Sequence, residues 1–90
     1  MKIKFFATYR AITRCNETNI PAEENILSLL RELSKIYPGL RDKILNPEGT
    51  DIGLEAIILV NGRNIVHLNG VDTKITDDDT VALFPLVAGG

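Results

Sequence analysis

The chain reads as a two-layer α+β domain, a sheet packed on one main helix, and three observations carry that reading. Its first residues follow the two-residue period of a half-buried strand, a single stretch from Ile26 follows a helical period, and strand-type runs with hairpin punctuation occupy Ala56 onward. One long helix can bury its apolar stripe only against one face of a sheet, so strands on either side of it imply two layers. A length of 90 residues bounds this to one domain with one core and leaves no room for a separate catalytic domain.

In KIKFFATY, Ile3, Phe5 and Ala7 alternate with Lys2, Lys4, Phe6 and Thr8, which predicts a first strand whose polar face Phe6 interrupts. ITRCNE reads as a turn, and Glu17 to Ile20 as a short second strand forming a hairpin with the first. Ile26, Leu29, Leu30, Leu33 and Tyr37 fall at i, i+3, i+4, i+7 and i+11, with Arg31, Glu32 and Lys35 toward water. Glu23 and Glu24 suit the positive end of a helix dipole, Asn25 can cap it and Pro38-Gly39 stops it, so the helix is expected over residues 24–37. A helical turn in GLRDKIL is expected to close Leu40, Ile44 and Leu45 over the end of the core, before a loop opens at Asn46-Pro47-Glu48-Gly49. Ala56 to Val60 is a continuous aliphatic strand ended by Asn61-Gly62, a hairpin signal, with Asn64 to Leu68 as the returning strand. Asn69-Gly70 punctuates again, and the turn Asp77-Asp78-Asp79-Thr80 precedes the last strand, VALFPLV. The first and last strands are expected side by side.

Composition excludes several function classes. Hydrophobic residues at 44% and charged residues at 24% are ordinary globular usage, which disfavours disorder. The longest apolar run is far below the roughly 18 residues of a membrane span, and the start lacks a signal-peptide apolar region, so a cytoplasmic protein with no membrane partner is expected. Ten basic against twelve acidic side chains, without a Lys/Arg cluster or an aromatic platform, argue against nucleic acid, DNA included. Cys15 is the only cysteine, so no internal disulfide forms, and it reads as an incidental or half-buried thiol. His67 lacks a neighbouring acid/base partner and reads as a surface histidine. The three aspartates fill a short turn without the spaced oxygens and mid-loop glycine of a calcium loop, so no metal site and no bound cofactor are expected. With no catalytic side-chain arrangement, what folding leaves unexplained is the end of the sequence, where a hydrophobic strand runs into Val87-Ala88-Gly89-Gly90.

The opening FFATYR, the helix NILSLLREL, the LVNG turn and the closing DDDTVALFPLVAGG resemble the β-grasp, ubiquitin-like sulfur carriers. That family comprises the small subunit of molybdopterin synthase, the thiamine-pathway carrier and the small archaeal modifier proteins. The resemblance covers nearly the whole chain and is closest to the synthase subunit and the archaeal modifiers, since the insert Gly39 to Leu54 departs from the shorter thiamine-pathway carrier. It implies a β-grasp fold, a mixed sheet on one main helix, over residues 1–86, and a flexible C-terminal tail over 87–90.

The resemblance also implies chemistry. A main-chain carboxylate with a pKa near about 3.5 is ionised at neutral pH and is a poor electrophile. Family members are therefore adenylated by a separate E1-like enzyme that uses ATP and magnesium. A sulfur donor or a thiol then attacks the acyl-adenylate, giving a thiocarboxylate or, finally, an isopeptide bond to a lysine. On this reading Gly90 carries the reactive carboxyl, while Val87, Ala88 and Gly89 thread a partner's cleft, where the glycines allow torsions closed to other residues. Ordering that tail costs about 1–2 kcal/mol of backbone entropy per residue, which contacts from flanking apolar residues offset. The chain itself is then not an enzyme. Its partners are the activating enzyme and either the large subunit of molybdopterin synthase, for molybdenum or tungsten cofactor synthesis, or tRNA thiolation components, or substrate proteins if it is a modifier. A third reading is a plain interaction module with an inert tail.

Phe6 and Phe84 either pack in the core or sit together on the sheet face away from the helix as a docking patch with Leu86. Leu59 is assigned to the helix-facing core, and Arg10 and Arg63 to polar contacts.

Overall fold

The computed structural model describes residues 1–86. In chain order the elements are β1 (Lys2–Phe5), α1 (Thr8–Thr13), β2 (Glu17–Asn19), α2 (Ile26–Ile36), α3 (Arg41–Ile44), β3 (Ala56–Val60), β4 (Arg63–Asn64) and β5 (Thr80–Pro85). Single 3-10 turns occupy Pro38–Leu40, Ile65–His67 and Gly70–Asp72. The sheet order is β2-β1-β5-β3-β4. β1 and β5 run parallel, in register from Lys2 opposite Thr80 to Phe5 opposite Leu83, and the other pairs are antiparallel. The sheet is therefore mixed, and its middle strand is β5.

α2 forms where the helical period placed it, two residues shorter at its start and one at its end. Its cap is the Asn25 side chain, which accepts a hydrogen bond from the Ser28 N–H at 2.9 Å. Ile26, Leu29, Leu30 and Leu33 are fully buried against Ile3, Phe5, Ile58, Val81 and Leu83 of the sheet. Each such side chain contributes about 1.5–3 kcal/mol by leaving water. Leu40, Ile44 and Leu45 close the end of this core, as the sequence suggests. Asn61 and Gly62 both take positive φ, 51° and 85°, the backbone a two-residue hairpin turn demands between β3 and β4.

Three local readings are corrected. The first strand stops at Phe5 and not at Thr8: Ala7 adopts φ 52° and ψ −128°, turning the chain into α1, which replaces the turn read in this segment. Tyr9 and Thr13 of α1 are buried one turn apart, and Arg14, in the left-handed region, closes the helix by donating its N–H to the Arg10 carbonyl. The returning strand is two residues, because the Asn64 side chain accepts from the Val66 N–H and starts a 3-10 turn that swings Ile65 into the core. Leu59 is not in the helix-facing core. It alternates with the buried Ile58 and Val60, so it projects from the opposite face, where it is half-buried.

The aspartate turn is structural. Asp77 accepts from the Ala22 N–H at 2.7 Å, and Asp79 accepts from the Thr76 N–H and the Asn61 side-chain amide, each at 2.8 Å. Those bonds hold the Asp79 carboxyl below its ordinary pKa, the Asn61 amide contributing most. Among the described residues, no helix is long and apolar enough to cross a membrane.

Candidate functional site

Strand alternation divides the apolar residues of β1, β3 and β5 between two faces. Ile3, Phe5, Ile58, Val60, Val81 and Leu83 lie under α2, whereas Ile57, Leu59, Ala82 and Phe84 lie on the face that carries no helix. Cross-strand register places Phe84 beside Ile57 and Ala82 beside Leu59. Phe6, just beyond β1, hydrogen-bonds its N–H to the Leu83 carbonyl and stacks on Phe84. Their ring centroids are 4.2 Å apart and their planes within 9°. The Arg10 guanidinium lies 5.8 Å from the Phe6 ring centroid, and its Nε donates to the Phe5 carbonyl at 3.4 Å. The alternative that places the two phenylalanines together on the outer face is thus the one the fold realises, and both remain half-buried.

Leu86 follows β5 and is 56% exposed, a large apolar side chain at the point where the chain leaves the sheet. Its N–H donates to the Glu55 carbonyl, extending the β3 edge of the ladder by one bond. Val87, Ala88, Gly89 and Gly90, the residues assigned to the tail and its reactive end, lie outside the described residues.

Other singled-out residues lie apart from the Phe6–Phe84 stack. Cys15 is half-buried with its Sγ 3.7 Å from the Tyr37 hydroxyl, and Tyr37 packs edge-on against Phe5 with centroids 5.5 Å apart. His67 is exposed on the Ile65–His67 turn, where it lines a shallow groove with Leu59 and Arg63. Lys35 is exposed near the end of α2, 4.0 Å from Glu32, and Lys43 is exposed on α3. Among the described residues, no three His, Cys, Asp or Glu side chains are placed to hold a metal ion.

Reading residue types missed Ile57, Leu59 and Ala82 as surface-forming positions. The signal was in the sequence: in a five-residue aliphatic strand, whichever parity faces the helix, the other parity must face away.

The arrangement is a helix-free apolar face alongside a central strand that leads to Gly89-Gly90. The sequence matches the model of the ThiS family over residues 3–90. This chain belongs to the ThiS family. It is 33% identical to small archaeal modifier protein 3 of Haloferax volcanii, over 100% of this chain and 98% of that protein. It is 30% identical to the molybdopterin synthase sulfur carrier subunit of Emericella nidulans, over 99% of this chain and 96% of the other. Its structure is similar to that of small archaeal modifier protein 1 from Methanosarcina acetivorans, with a TM-score of 0.86, 32% identity, and coverage of 99% and 94% of the two chains. The fold of this ThiS-family chain is accordingly the ubiquitin-like β-grasp.

Proposed function

We propose that this chain is a sulfur carrier whose Gly90 carboxyl is adenylated by a separate ATP-dependent enzyme and then converted to a thiocarboxylate. The observation that carries the reading is the position of β5. It is paired on both sides and held by the buried Val81 and Leu83, and in the sequence it is followed closely by Gly89-Gly90, which supports a rigid body behind the reactive segment. The relative named as a molybdopterin synthase sulfur carrier subunit supports a role in supplying sulfur to a pterin dithiolene, and tRNA thiolation would draw on the same chemistry.

In the activation step a carboxylate oxygen attacks the α-phosphorus of ATP and pyrophosphate leaves. Hydrosulfide, as the sulfide-level donor, then attacks the acyl carbon, AMP leaves with the bonding pair and the S–H proton is lost to solvent, which gives the thiocarboxylate. The body of this chain contributes recognition: the Phe6–Phe84 stack, Ile57 and Leu59 form the docking face, and Leu86 guides the tail. Partly exposed aromatic and aliphatic side chains on a rigid sheet give up little side-chain entropy when covered, which suits such a face.

A second reading is favoured by the modifier relatives, which match this chain along its whole length. In it the activated Gly90 is passed to a substrate lysine and the product is an isopeptide bond. Intact-mass measurement of the protein from its native host, with a blot for conjugates and a Gly90-deleted control, separates the two. A gain of about 16 Da, sulfur replacing oxygen, is expected for carriage, and Gly90-dependent ladders for conjugation. An unmodified mass and no ladder, with the host's activating enzyme shown to be active, would leave an interaction module with an inert tail.

A further inference from the structure

The segment Gly39 to Leu54 folds against the end of β5. Asn46 organises it: its side-chain oxygen accepts from the N–H groups of Thr50 and Asp51, at 2.8 and 3.1 Å. Two arginines reach in from the helices. Arg41 donates to the Asn46 and Pro47 carbonyls, and Arg31 donates to the Gly49 carbonyl. Gly53 passes so close to α3 that a Cβ there would sit 2.8 Å from the Lys43 carbonyl oxygen. The segment is therefore pinned, yet the next residue, Leu54, is 99% exposed and adds nothing to the core.

Between this loop, α1 and the end of β5 lies an open groove of about 880 Å³. Ile12, Ile52, Leu54, Pro85 and Leu86 give it apolar walls, and the Tyr9 hydroxyl is turned toward the Lys43 carbonyl at its base. Its ionisable lining leans acidic, with the carboxylates of Asp51 and Glu55, and of Asp42 whose Oδ1 lies 3.6 Å from the Arg41 guanidinium, against the ammonium of Lys43. A surface that covers Pro85 and Leu86 at the end of β5 also reaches the edge of this groove, because both residues line it.

We infer that the groove is a specificity site for the activating enzyme, seating an apolar segment flanked by Lys or Arg while Leu54 enters an apolar pocket beside it. This rests on the carrier or modifier reading, since both need that enzyme. A rigid loop presenting a fully exposed leucine lowers the ordering cost of association, and the carboxylates select a basic counterpart.

The test is chain-dependent ATP–pyrophosphate exchange by the host's purified adenylating enzyme, comparing the wild type with Leu54→Ser and Glu55→Lys. Both side chains are exposed, so unchanged melting temperatures are expected. Each variant should raise KM about tenfold with kcat unchanged. The Glu55→Lys effect should shrink as salt rises from about 0.05 to 0.5 M, and the Leu54→Ser effect should not. KM values within about twofold of the wild type would overturn the inference, as would a wild-type dimer in sedimentation that Leu54→Ser dissolves, which would make a second copy the occupant. Absence of exchange with the wild type itself would instead overturn the proposed function.

Discussion

In β3 and β5 the two faces of the sheet are built largely from residues of similar hydrophobicity, yet they have opposite fates. Under α2, Ile3, Phe5, Ile58, Val81 and Leu83 have lost at least 99% of their accessible surface. One residue along β3 and β5, Ile57, Leu59 and Phe84 retain part of theirs, as does Phe6 just beyond β1. Burial under the helix is where stability comes from, and the outer face holds apolar area that folding leaves available. The difference teaches that residue type does not separate core from recognition surface in this chain. Parity does, because one helix can cover only one side.

The comparison breaks most visibly at Leu83. Leu83→Ala leaves a cavity beneath α2 and is expected to cost about 2–5 kcal/mol in denaturant unfolding. Its neighbour on the other face should behave differently. Phe84→Ala loses the stack on Phe6 and some half-buried area, a cost of about 1–2 kcal/mol, while binding to the activating enzyme, measured by titration calorimetry, should weaken more than about tenfold. If Phe84→Ala cost as much stability as Leu83→Ala and left binding unchanged, the division of labour between the faces would be wrong.

Ala7 is the point where the chain leaves the outer-face Phe6 for the buried Tyr9, and its torsions are ones that L-residues rarely adopt. Ala7→Gly should relieve strain and raise stability by about 1 kcal/mol net of the added chain entropy, read as a higher melting temperature. The smallest effect is expected at Asp79, in the turn that precedes β5. Its folded pKa lies below the ordinary value, so its contribution is present above the unfolded pKa and is lost as pH falls through the folded one. Asp79→Asn should therefore lower stability slightly across the neutral range, leave it unchanged at the acid end where the carboxyl is already protonated, and so flatten part of the acid limb of a stability-versus-pH curve.

Much of the fold is legible in particular residues. The stripe Ile26, Leu29, Leu30, Leu33 with Asn25 as cap specifies α2, and Asn61-Gly62 specifies its turn, because local pattern and local torsion agree there. α1 was missed because six residues are too few to show a period, and because it begins at an alanine torsion that no propensity favours; Tyr9, Ile12 and Thr13 at helical spacing were its only trace. β4 was overextended because Asn64 can pair as a strand residue or cap a turn, and burying Ile65 decides for the turn. At the site, pairing of Phe6 with Phe84 could be anticipated from adjacent first and last strands. Leu59 could not be placed until the burial of Ile58 set the parity of the whole strand.

The pairing of β5 on both sides also has a mechanical consequence. A pull along the exit direction, as when a partner draws the end into a cleft, loads the β1–β5 and β3–β5 ladders in shear, so that many hydrogen bonds share the load at once. An edge strand pulled crosswise would instead open one bond at a time. The strand that precedes the glycines in the sequence is thus the one best anchored against traction among the described strands, and on the proposed function a partner that draws on the following segment would leave the body's shape unchanged.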